Sequence, residues 1–294
     1  MSRMPSSRRS ILTAGAVLGA AGITAGLVEA RILPGRVLLH TALGLTGEDG
    51  VIPDVKPGTR VDKTFRSRAQ NGKVVHWSAS YPPGVSADAR LPVVLALHAR
   101  GGDHTWPFTE LGIDRYLAAG AARWPTPFAV VTVDGGPDSY WHRRRNGGDP
   151  QAMIVQELLP RLASRGLRTD RIGVIGWSMG GYGALLLAER HADRVAAAVA
   201  ASPALWQNAE DAAEGAFDGP TDFQANDVFA DQQALKDVRL RVDCGRDDPF
   251  LEATRAFVAG LPKRPAGGFQ PGAHTAGYWR RLLPAQLEFL AWNL

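Results

Sequence analysis

The fold is decided by the stretch Ile172-Gly173-Val174-Ile175-Gly176-Trp177-Ser178-Met179-Gly180. A short apolar run ends in a glycine-rich turn, and the apolar sequence after the turn is long enough for a helix. The turn matches the pattern G-x-S-x-G, an elbow that places a serine between a buried strand and a helix. Because this turn is tight, the positions two before and two after Ser178 need minimal side chains, which Gly176 and Gly180 supply. We therefore expect Ser178 at a strand end, above helix N–H groups that stabilise developing negative charge.

Apolar runs of the same kind recur along the chain and alternate with helical stretches. Continuous apolar strands indicate a sheet that is covered on both faces. Strands that alternate with helices predict an α/β fold with a doubly wound, mostly parallel sheet, here a single domain over residues 61–294. In such a sheet the functional residues lie on loops at the C-terminal ends of the strands. Strands are predicted at 73–80, 93–97, 128–133, 172–176, 195–201 and 238–242, and helices at about 111–122, 150–165, 179–191, 249–261 and 278–294.

Composition restricts the class of protein. The chain has 294 residues, 45% hydrophobic and 21% charged, which suits a full buried core and excludes a disordered chain. The formal net charge of +4 comes with no basic stripe and no base-reading motif, so we expect no nucleic-acid partner. Cys244 is the single cysteine, which excludes a disulfide within the chain and a zinc site of several thiolates. We expect neither a metal nor a cofactor.

Residues 1–30 have the pattern of an export signal. Arg8 and Arg9 directly precede an apolar run without charges that extends from Ile11 to about Val28. A positive segment before an apolar segment is typical of secretory signals, and the paired arginines favour the twin-arginine route. The alternative is an uncleaved membrane anchor, because the run is close to the ~18 residues that span a bilayer. We expect a protein in the periplasm, in the cell envelope or outside the cell.

Residues 31–60 form an apolar transition segment and a linker. The apolar positions between Val37 and Leu45 share one face of a short helix. We favour a helix docked on the protein's own core over a lid or a membrane-surface element, although residues 11–45 together remain a candidate for membrane or envelope association. Gly47 to Gly58 carries Gly, Pro and Asp and is typical of a linker.

The elbow needs a histidine and an acid later in the chain, in the order acid and then histidine. Two histidines follow Ser178. His191 lies near the end of the helix that begins at the elbow and cannot turn back to the serine. His274 lies in a turn-rich loop just before the final helix and is the candidate base. The acid is expected on the loop after the strand that ends at Cys244, where both Asp247 and Asp248 are candidates; Asp248 has the alternative role of a helix cap before a proline.

Two backbone N–H groups are expected to form an oxyanion hole. One belongs to Met179, the residue after the serine, and the other to Arg100, on the loop after the strand at 93–97. The Arg100 side chain either covers the site or is solvated. Tyr140-Trp141-His142-Arg143-Arg144-Arg145 follows another strand at the same edge, and either binds a polar or anionic group or forms a solvated face. Trp141 and Trp177 are predicted substrate contacts.

Three stretches resemble the esterase D group of α/β-hydrolases, to which the secreted mycolyltransferases of the antigen-85 type are related. The resemblance extends from about Val93 to Phe289 and implies an α/β-hydrolase fold. It implies Ser178 as nucleophile, His274 as base and an aspartate of the 247–248 pair as acid, with the family's x-Asp-x-Phe pattern favouring Asp248. The stretches are Gly176–Leu185, Asp247–Phe250 and His274–Trp279.

The mycolyltransferases differ from this chain at two positions that help them hold a sugar acceptor. They carry an aspartate at the position of His98 and a tryptophan at the position of Ala276. The resemblance therefore implies that His98 lies at the substrate site, while the acceptor-binding groups differ.

Three functions follow as alternatives. The favoured one is an exported serine esterase that hydrolyses an envelope or lipid-like ester through an acyl-enzyme, without a cofactor. The second is an acyltransferase of the cell envelope, in which a sugar hydroxyl replaces water. The third is a non-catalytic surface-binding protein, which the presence of Ser178, His274 and the aspartate pair disfavours.

Overall fold

The computed structural model describes residues 35–87 and 89–294, so the predicted export signal at 1–30 lies outside the described residues. The chain divides into two units, one up to Gly47 and one from Glu48 to Leu294. In the first unit, helix α1 (Arg36–Ala42) begins after Gly35 and carries exposed apolar side chains such as Leu38. Across the described residues, no helix is both long and apolar enough to cross a membrane.

The second unit is built on one eight-stranded sheet. Its strand order is β1-β2-β4-β3-β5-β6-β7-β8. Strand β2 pairs antiparallel with both of its neighbours, β1 and β4. Every other neighbouring pair is parallel. The predicted α/β fold with a mostly parallel sheet is therefore confirmed. The strands are β1 (Arg60–Ser67), β2 (Lys73–Ser80), β3 (Pro92–Leu97), β4 (Ala129–Val133), β5 (Arg168–Trp177), β6 (Val195–Ala201), β7 (Arg239–Gly245) and β8 (Ala266–Gln270).

Helices cover both faces of the sheet. Helices α3 (Ile113–Gly120) and α9 (Ala276–Trp292) pack on one face. Helix α6 (Met179–Arg190) and the helical run that starts at Pro150 pack on the other face, so that β3 and β4 are buried along their whole length. Asp149 caps that run, because its Oδ1 accepts the Ala152 N–H at 2.9 Å, as the sequence Asp-Pro predicts. The helices are α2 (Trp106–Thr109), α3 (Ile113–Gly120), α4 (Pro150–Ala152), a π-helical stretch (Met153–Leu158), α5 (Leu159–Ala163), α6 (Met179–Arg190), α7 (Pro220–Ala225), α8 (Leu251–Gly260) and α9 (Ala276–Trp292).

The two outermost strands, β1 and β8, are not among the strands expected from the sequence. β1 is mostly exposed and polar, and β8 contains two glycines and has no buried residue. An edge strand has one neighbour and a large solvated surface, so it does not need the apolar run that marks an inner strand. The hydrophobic pattern therefore predicts the centre of the sheet and misses both edges.

The segment expected to be a linker is docked on the body of the second unit. The Gly50 N–H donates to the Gly277 carbonyl at 2.8 Å, and the Tyr116 hydroxyl donates to the Val51 carbonyl at 2.8 Å. A Cβ at Gly50 would lie 2.1 Å from the backbone nitrogen of Arg281, so the segment touches α9 through bare backbone. Contacts made by glycine leave no hydrophobic pattern, which is why the sequence indicates only a linker.

Candidate active site

The elbow between β5 and α6 forces Ser178 into an unusual backbone conformation. Its φ is 53° and its ψ is −116°, values that cost energy for a residue with a Cβ. A Cβ at Gly176 would lie 2.0 Å from the Gly180 carbonyl oxygen, and one at Gly180 would lie 2.1 Å from the Leu97 carbonyl oxygen. Both glycines are thus required by backbone packed against backbone, and the turn holds the half-buried Ser178 at the C-terminal edge of the sheet.

Ser178 is the first member of a hydrogen-bonded series of three side chains. Its Oγ lies 2.9 Å from Nε2 of His274, and Nδ1 of the same ring lies 2.9 Å from Oδ2 of Asp248. The Asp248 side chain is fully buried, whereas the His274 side chain is 24% exposed. The solvent-facing end of the series is therefore at the serine, and the buried carboxylate lies behind the imidazole.

Two loops bring these residues together across the sheet edge. The Asp247 N–H, on the loop after β7, donates to the Gly272 carbonyl at 2.9 Å, on the loop before α9. Thr275 caps α9 through a hydrogen bond from the Tyr278 N–H, which fixes the start of the helix directly after His274. His191 ends α6, where it is expected, and is not part of the series.

Aromatic rings fix the orientation of the His274 imidazole. The Phe250 and Trp279 rings contact it edge-on, with centroid distances of 5.3 Å and 5.0 Å. Trp279 is itself held, because its Nε1–H donates to Oγ of Ser202 at 3.0 Å. Contact on two sides limits rotation of the imidazole away from the serine.

Two backbone amides are expected to form an oxyanion hole. The Met179 amide directly follows Ser178 in the chain, and the Arg100 amide lies on the loop after β3. Met179 is the first residue of α6, so its N–H has no acceptor within the helix. The loop that carries Arg100 is packed against the elbow, since a Cβ at Gly180 would lie 2.7 Å from the His98 carbonyl oxygen. Within this loop the Gly101 N–H donates to the Pro137 carbonyl at 2.8 Å, which fixes the backbone next to the Arg100 amide.

His98, Trp141 and Trp177, which the sequence predicts as substrate contacts, are all buried in the structure. His98 is 1% exposed, and both tryptophans are completely buried. Nδ1 of His98 bonds to the Ala99 carbonyl at 2.9 Å, its Nε2 accepts the Gly135 N–H at 3.2 Å, and burial lowers its pKa. His98 is therefore a neutral ring that joins the loops after β3 and β4. Its position shows that a residue at the end of a strand does not always face the cleft.

The arginine run after β4 holds a neighbouring loop. Nη2 of Arg144 lies 2.9 Å from Oδ1 of Asp218, and its Nη1 donates to the Gly215 carbonyl at 3.0 Å. The Arg145 N–H donates to the same carboxylate at 2.6 Å. These donors, led by Arg144, lower the pKa of Asp218 to about 2. Arg100 has a related role, because its Nε lies 2.7 Å from Oδ1 of Asp138.

An aromatic cluster beside the site is absent from the sequence-based expectations. Trp206 contacts the Phe250 ring at 5.4 Å and the Tyr140 ring at 5.6 Å, and Phe217 packs against both Tyr140 and Trp206. Phe250, Trp206 and Phe217 keep part of their surface exposed. Two members of the cluster lie in stretches that the sequence singles out: Tyr140 in the run after β4, and Phe250 in the motif around Asp248. Trp206 and Phe217 lie in a segment without periodicity and reach the site only through the fold.

One group among the described residues has metal-binding side chains close together. Ligand atoms of Asp103, His104 and Asp134 lie within 4.8 Å of one another. Their atoms already serve the loops: Oδ1 of Asp134 lies 2.9 Å from Nδ1 of His104 and accepts the His104 N–H at 2.8 Å. Oδ1 of Asp103 accepts the Thr105 N–H at 2.7 Å. These hydrogen bonds show that the three side chains stabilise the loops in which they lie.

Comparison with known proteins places the chain in a family. The family model described as "Putative esterase" matches residues 72–290. A ferulic acid esterase superposes with a TM-score of 0.70 at 20% identity, covering 81% of this chain and 100% of that one. An S-formylglutathione hydrolase from Agrobacterium tumefaciens superposes with a TM-score of 0.67 at 16% identity, covering 82% and 98%.

A third similar structure comes from the antigen-85 side of the resemblance. MPT51 of Mycobacterium tuberculosis superposes with a TM-score of 0.66 at 18% identity, covering 80% of this chain and 99% of that one. No curated protein matches the sequence significantly. At these identities the structural likeness shows the fold, whereas the family match covers most of the chain. The chain belongs to the esterase family described as "Putative esterase", and it is a carboxylic ester hydrolase of the α/β-hydrolase fold.

Proposed function

We propose that the protein hydrolyses carboxylic esters through a covalent acyl-enzyme on Ser178. The observation that carries this proposal is the series Ser178 Oγ–His274 Nε2–Asp248 Oδ2, with both separations at 2.9 Å. The Ser178 oxygen attacks the ester carbonyl, and Nε2 of His274 takes the hydroxyl proton and delivers it to the departing alkoxide. The Asp248 carboxylate accepts from Nδ1–H and stabilises the imidazolium that forms. A water molecule, deprotonated by His274, then releases the acid and restores Ser178.

The oxyanion of each tetrahedral intermediate is held by the Met179 and Arg100 N–H groups. The α6 N-terminus adds its dipole to the first of these donors. The packing of the Arg100 loop against Gly180 supports the second, because it brings that loop to the elbow.

The substrate is an ester with an apolar group next to its carbonyl, such as a lipid-like or aromatic ester of the cell envelope. Phe250 and Trp206 support this proposal, since both are partly exposed and Phe250 contacts His274. Aromatic side chains bind apolar and aromatic groups by stacking and area burial. The structural similarity to a ferulic acid esterase is consistent with an aromatic acyl group.

Water is the acyl acceptor in this proposal. An acyltransferase needs polar groups that hold the second substrate while the acyl-enzyme is protected from water. His98 is not available for this role, because it is buried and both of its nitrogens are bonded inside the protein. Ala276, at the start of α9, offers no aromatic face for a sugar ring.

The proposed site of action is outside the cytoplasm, reached through the twin-arginine route. The support is Arg8-Arg9 before the uncharged apolar run. Replacing Arg8 and Arg9 by Lys should retain the protein in the cytoplasm, as measured by cell fractionation. Normal export of the double variant would show that another route is used.

The test is a panel of p-nitrophenyl esters from acetyl to palmitoyl, together with methyl ferulate. Ser178→Ala should lower kcat by about 10³-fold or more and abolish labelling by a fluorophosphonate, while Ser164→Ala, on an exposed serine, should leave both unchanged. Trehalose, glucose or glycerol in excess should leave the free acid as the main product. Labelling that persists in Ser178→Ala contradicts the nucleophile, and faster transfer to a sugar than to water contradicts hydrolysis.

A further inference from the structure

A polar cavity of about 630 Å³ lies away from the elbow, beside the turn between β1 and β2. Its walls are that turn, the loop that precedes α4, and the helical run through the π-helical stretch into α5. None of the residues proposed for ester hydrolysis lines it. The charged side chains that line it are four arginines and two acids: Arg66, Arg68, Arg143, Arg161, Asp149 and Glu157.

Within the described part of the chain, none of these four arginines forms an ion pair with a carboxylate. The arginine ion pairs found among the described residues all involve other arginines. Arg66 and Arg161 donate to the backbone carbonyls of Gly72 and Glu157, at 3.1 Å and 2.8 Å. A neutral carbonyl orients a guanidinium group but leaves its charge in place. Four such groups around one cavity repel one another, and a bound anion would relieve that repulsion.

One oxygen of each carboxylate accepts a backbone N–H, whereas Oε2 of Glu157 is buried without a hydrogen-bond partner among the described residues. Oε1 of Glu157 accepts the Arg68 N–H at 2.8 Å, and Oδ1 of Asp149 accepts the Ala152 N–H at 2.9 Å. They lower the formal charge of the cavity to +2 without pairing with a guanidinium group. The cavity therefore matches a ligand with two negative charges.

The walls of the cavity are fixed to each other. The Asp149 N–H donates to the Ala69 carbonyl at 2.8 Å, and Nδ2 of Asn71 donates to the Asn146 carbonyl at 2.9 Å, which joins the loop before α4 to the β1–β2 turn. The Arg161 guanidinium lies over the Phe65 ring, 4.4 Å from its centroid. Side chains that are already held lose less conformational entropy when a ligand binds.

We propose that this cavity binds a phosphate monoester. A phosphate monoester carries close to two charges at neutral pH, and its oxygens match the paired N–H groups of guanidinium. The cavity volume lies in the range of sites for whole small molecules and exceeds the needs of a lone oxyanion, so the phosphate belongs to a larger ligand. That ligand is either a soluble phosphorylated polyol or sugar, or a phospholipid headgroup.

Calorimetric titration with glycerol 1-phosphate tests the site in the full chain. We expect saturable binding with a Kd of about 1 mM or below, weakened about tenfold or more in Arg68→Ala/Arg143→Ala. Both of these arginines are exposed, so the double variant should fold, which its melting temperature checks. Arg123→Ala is the matched control, because Arg123 is an exposed arginine outside the cavity.

Vesicles that contain phosphatidic acid distinguish the two sources of the phosphate. Vesicle binding that is lost in Arg68→Ala/Arg143→Ala supports a lipid headgroup, and binding of glycerol 1-phosphate without vesicle binding supports a soluble ligand. The proposal is overturned if neither probe binds saturably, or if Arg123→Ala weakens binding as much as the double variant does. Ester hydrolysis should be unchanged in both the double variant and Arg123→Ala, so these outcomes do not depend on the proposed esterase mechanism.

Discussion

Asp248 uses its two carboxylate oxygens for two different partners, one of which is His274. Oδ2 lies 2.9 Å from Nδ1 of His274, and Oδ1 accepts the Phe250 N–H at 2.9 Å. Helix α8 begins only at Leu251, so the amide that Oδ1 accepts lies before the helix. The turn that the carboxylate stabilises also holds it in place for the imidazole. Asp248 therefore stabilises a turn before α8 and does not cap the helix, whose N-cap residue is Phe250.

We predict that Asp248→Asn lowers kcat by about 10⁴-fold, because an amide neither fixes the imidazole tautomer nor stabilises the imidazolium. The matched control is Asp247→Asn, which removes the neighbouring carboxylate on the same loop and should keep most of the activity. Steady-state hydrolysis of a p-nitrophenyl ester measures both. If Asp247→Asn is the inactive variant, the acid is assigned to the wrong residue.

Gly180→Ala should destabilise the protein by about 1–3 kcal/mol or prevent folding, because the new Cβ would lie 2.1 Å from the Leu97 carbonyl oxygen. The control is Gly148→Ala, whose Cβ would meet only the ends of the Gln70 and Asn146 side chains, which can move. Urea unfolding gives both stabilities. A Gly180→Ala protein as stable as Gly148→Ala would show that the elbow is looser than described.

The Arg144–Asp218 ion pair should stabilise the protein fully above about pH 4 and much less at pH 2. Arg144 lowers the pKa of Asp218 to about 2, below the unfolded value of about 3.9. A carboxyl with a lowered folded pKa contributes stability above its unfolded pKa, and this is lost as the pH falls through the folded pKa. Asp218→Asn should therefore lower the melting temperature at pH 7 more than at pH 2.

Asp170→Asn serves as the control for that experiment, because Asp170 is exposed and forms no ion pair among the described residues. Its melting temperature should follow the unmodified protein at both pH values. An equal effect of Asp218→Asn at pH 7 and pH 2 would contradict the role of the ion pair.

Glu189→Gln should raise the melting temperature, and more at pH 9 than at pH 4. Burial raises the pKa of Glu189 to about 8, and its Oε2 is buried without a hydrogen-bond partner among the described residues. Folding thus favours the protonated form, so the stability of the unmodified protein falls as the pH rises from the unfolded pKa through about 8. A glutamine stays neutral over this range. Calorimetric scans at the two pH values measure the difference, and an effect that is independent of pH would contradict it.

The sequence by itself determined the centre of the fold and two candidate site residues, Ser178 and His274. Continuous apolar runs identify inner strands, because a strand covered on both faces has no room for polar residues. Gly176 marks the elbow because a Cβ there would meet the Gly180 carbonyl oxygen within the same turn, whereas the need for Gly180 arises from the Leu97 carbonyl oxygen on β3. His274 followed from the order of residues along the chain, since the other later histidine, His191, lies on the elbow's own helix.

The residues alone left Asp247 and Asp248 open, and the family resemblance favoured Asp248. Only the tertiary structure shows the Asp248 carboxylate bonded to His274 and shows that His98, Trp141 and Trp177 are buried. Both aspartates belong to one loop, and which carboxylate faces the imidazole depends on how that loop meets the loop before α9. In the same way, a position at the end of a strand predicts that a residue lies at this edge of the sheet, but it does not predict whether the side chain faces the cleft or the core.

The partner of Arg144 and the arginine cavity also had to come from the structure. Asp218 lies 74 positions from Arg144, and the cavity combines side chains from the β1–β2 turn, a later loop and α5. These contacts join segments that are far apart in the sequence. A charged residue on the surface follows no hydrophobic periodicity, so its sequence position does not indicate which residues the fold will place beside it.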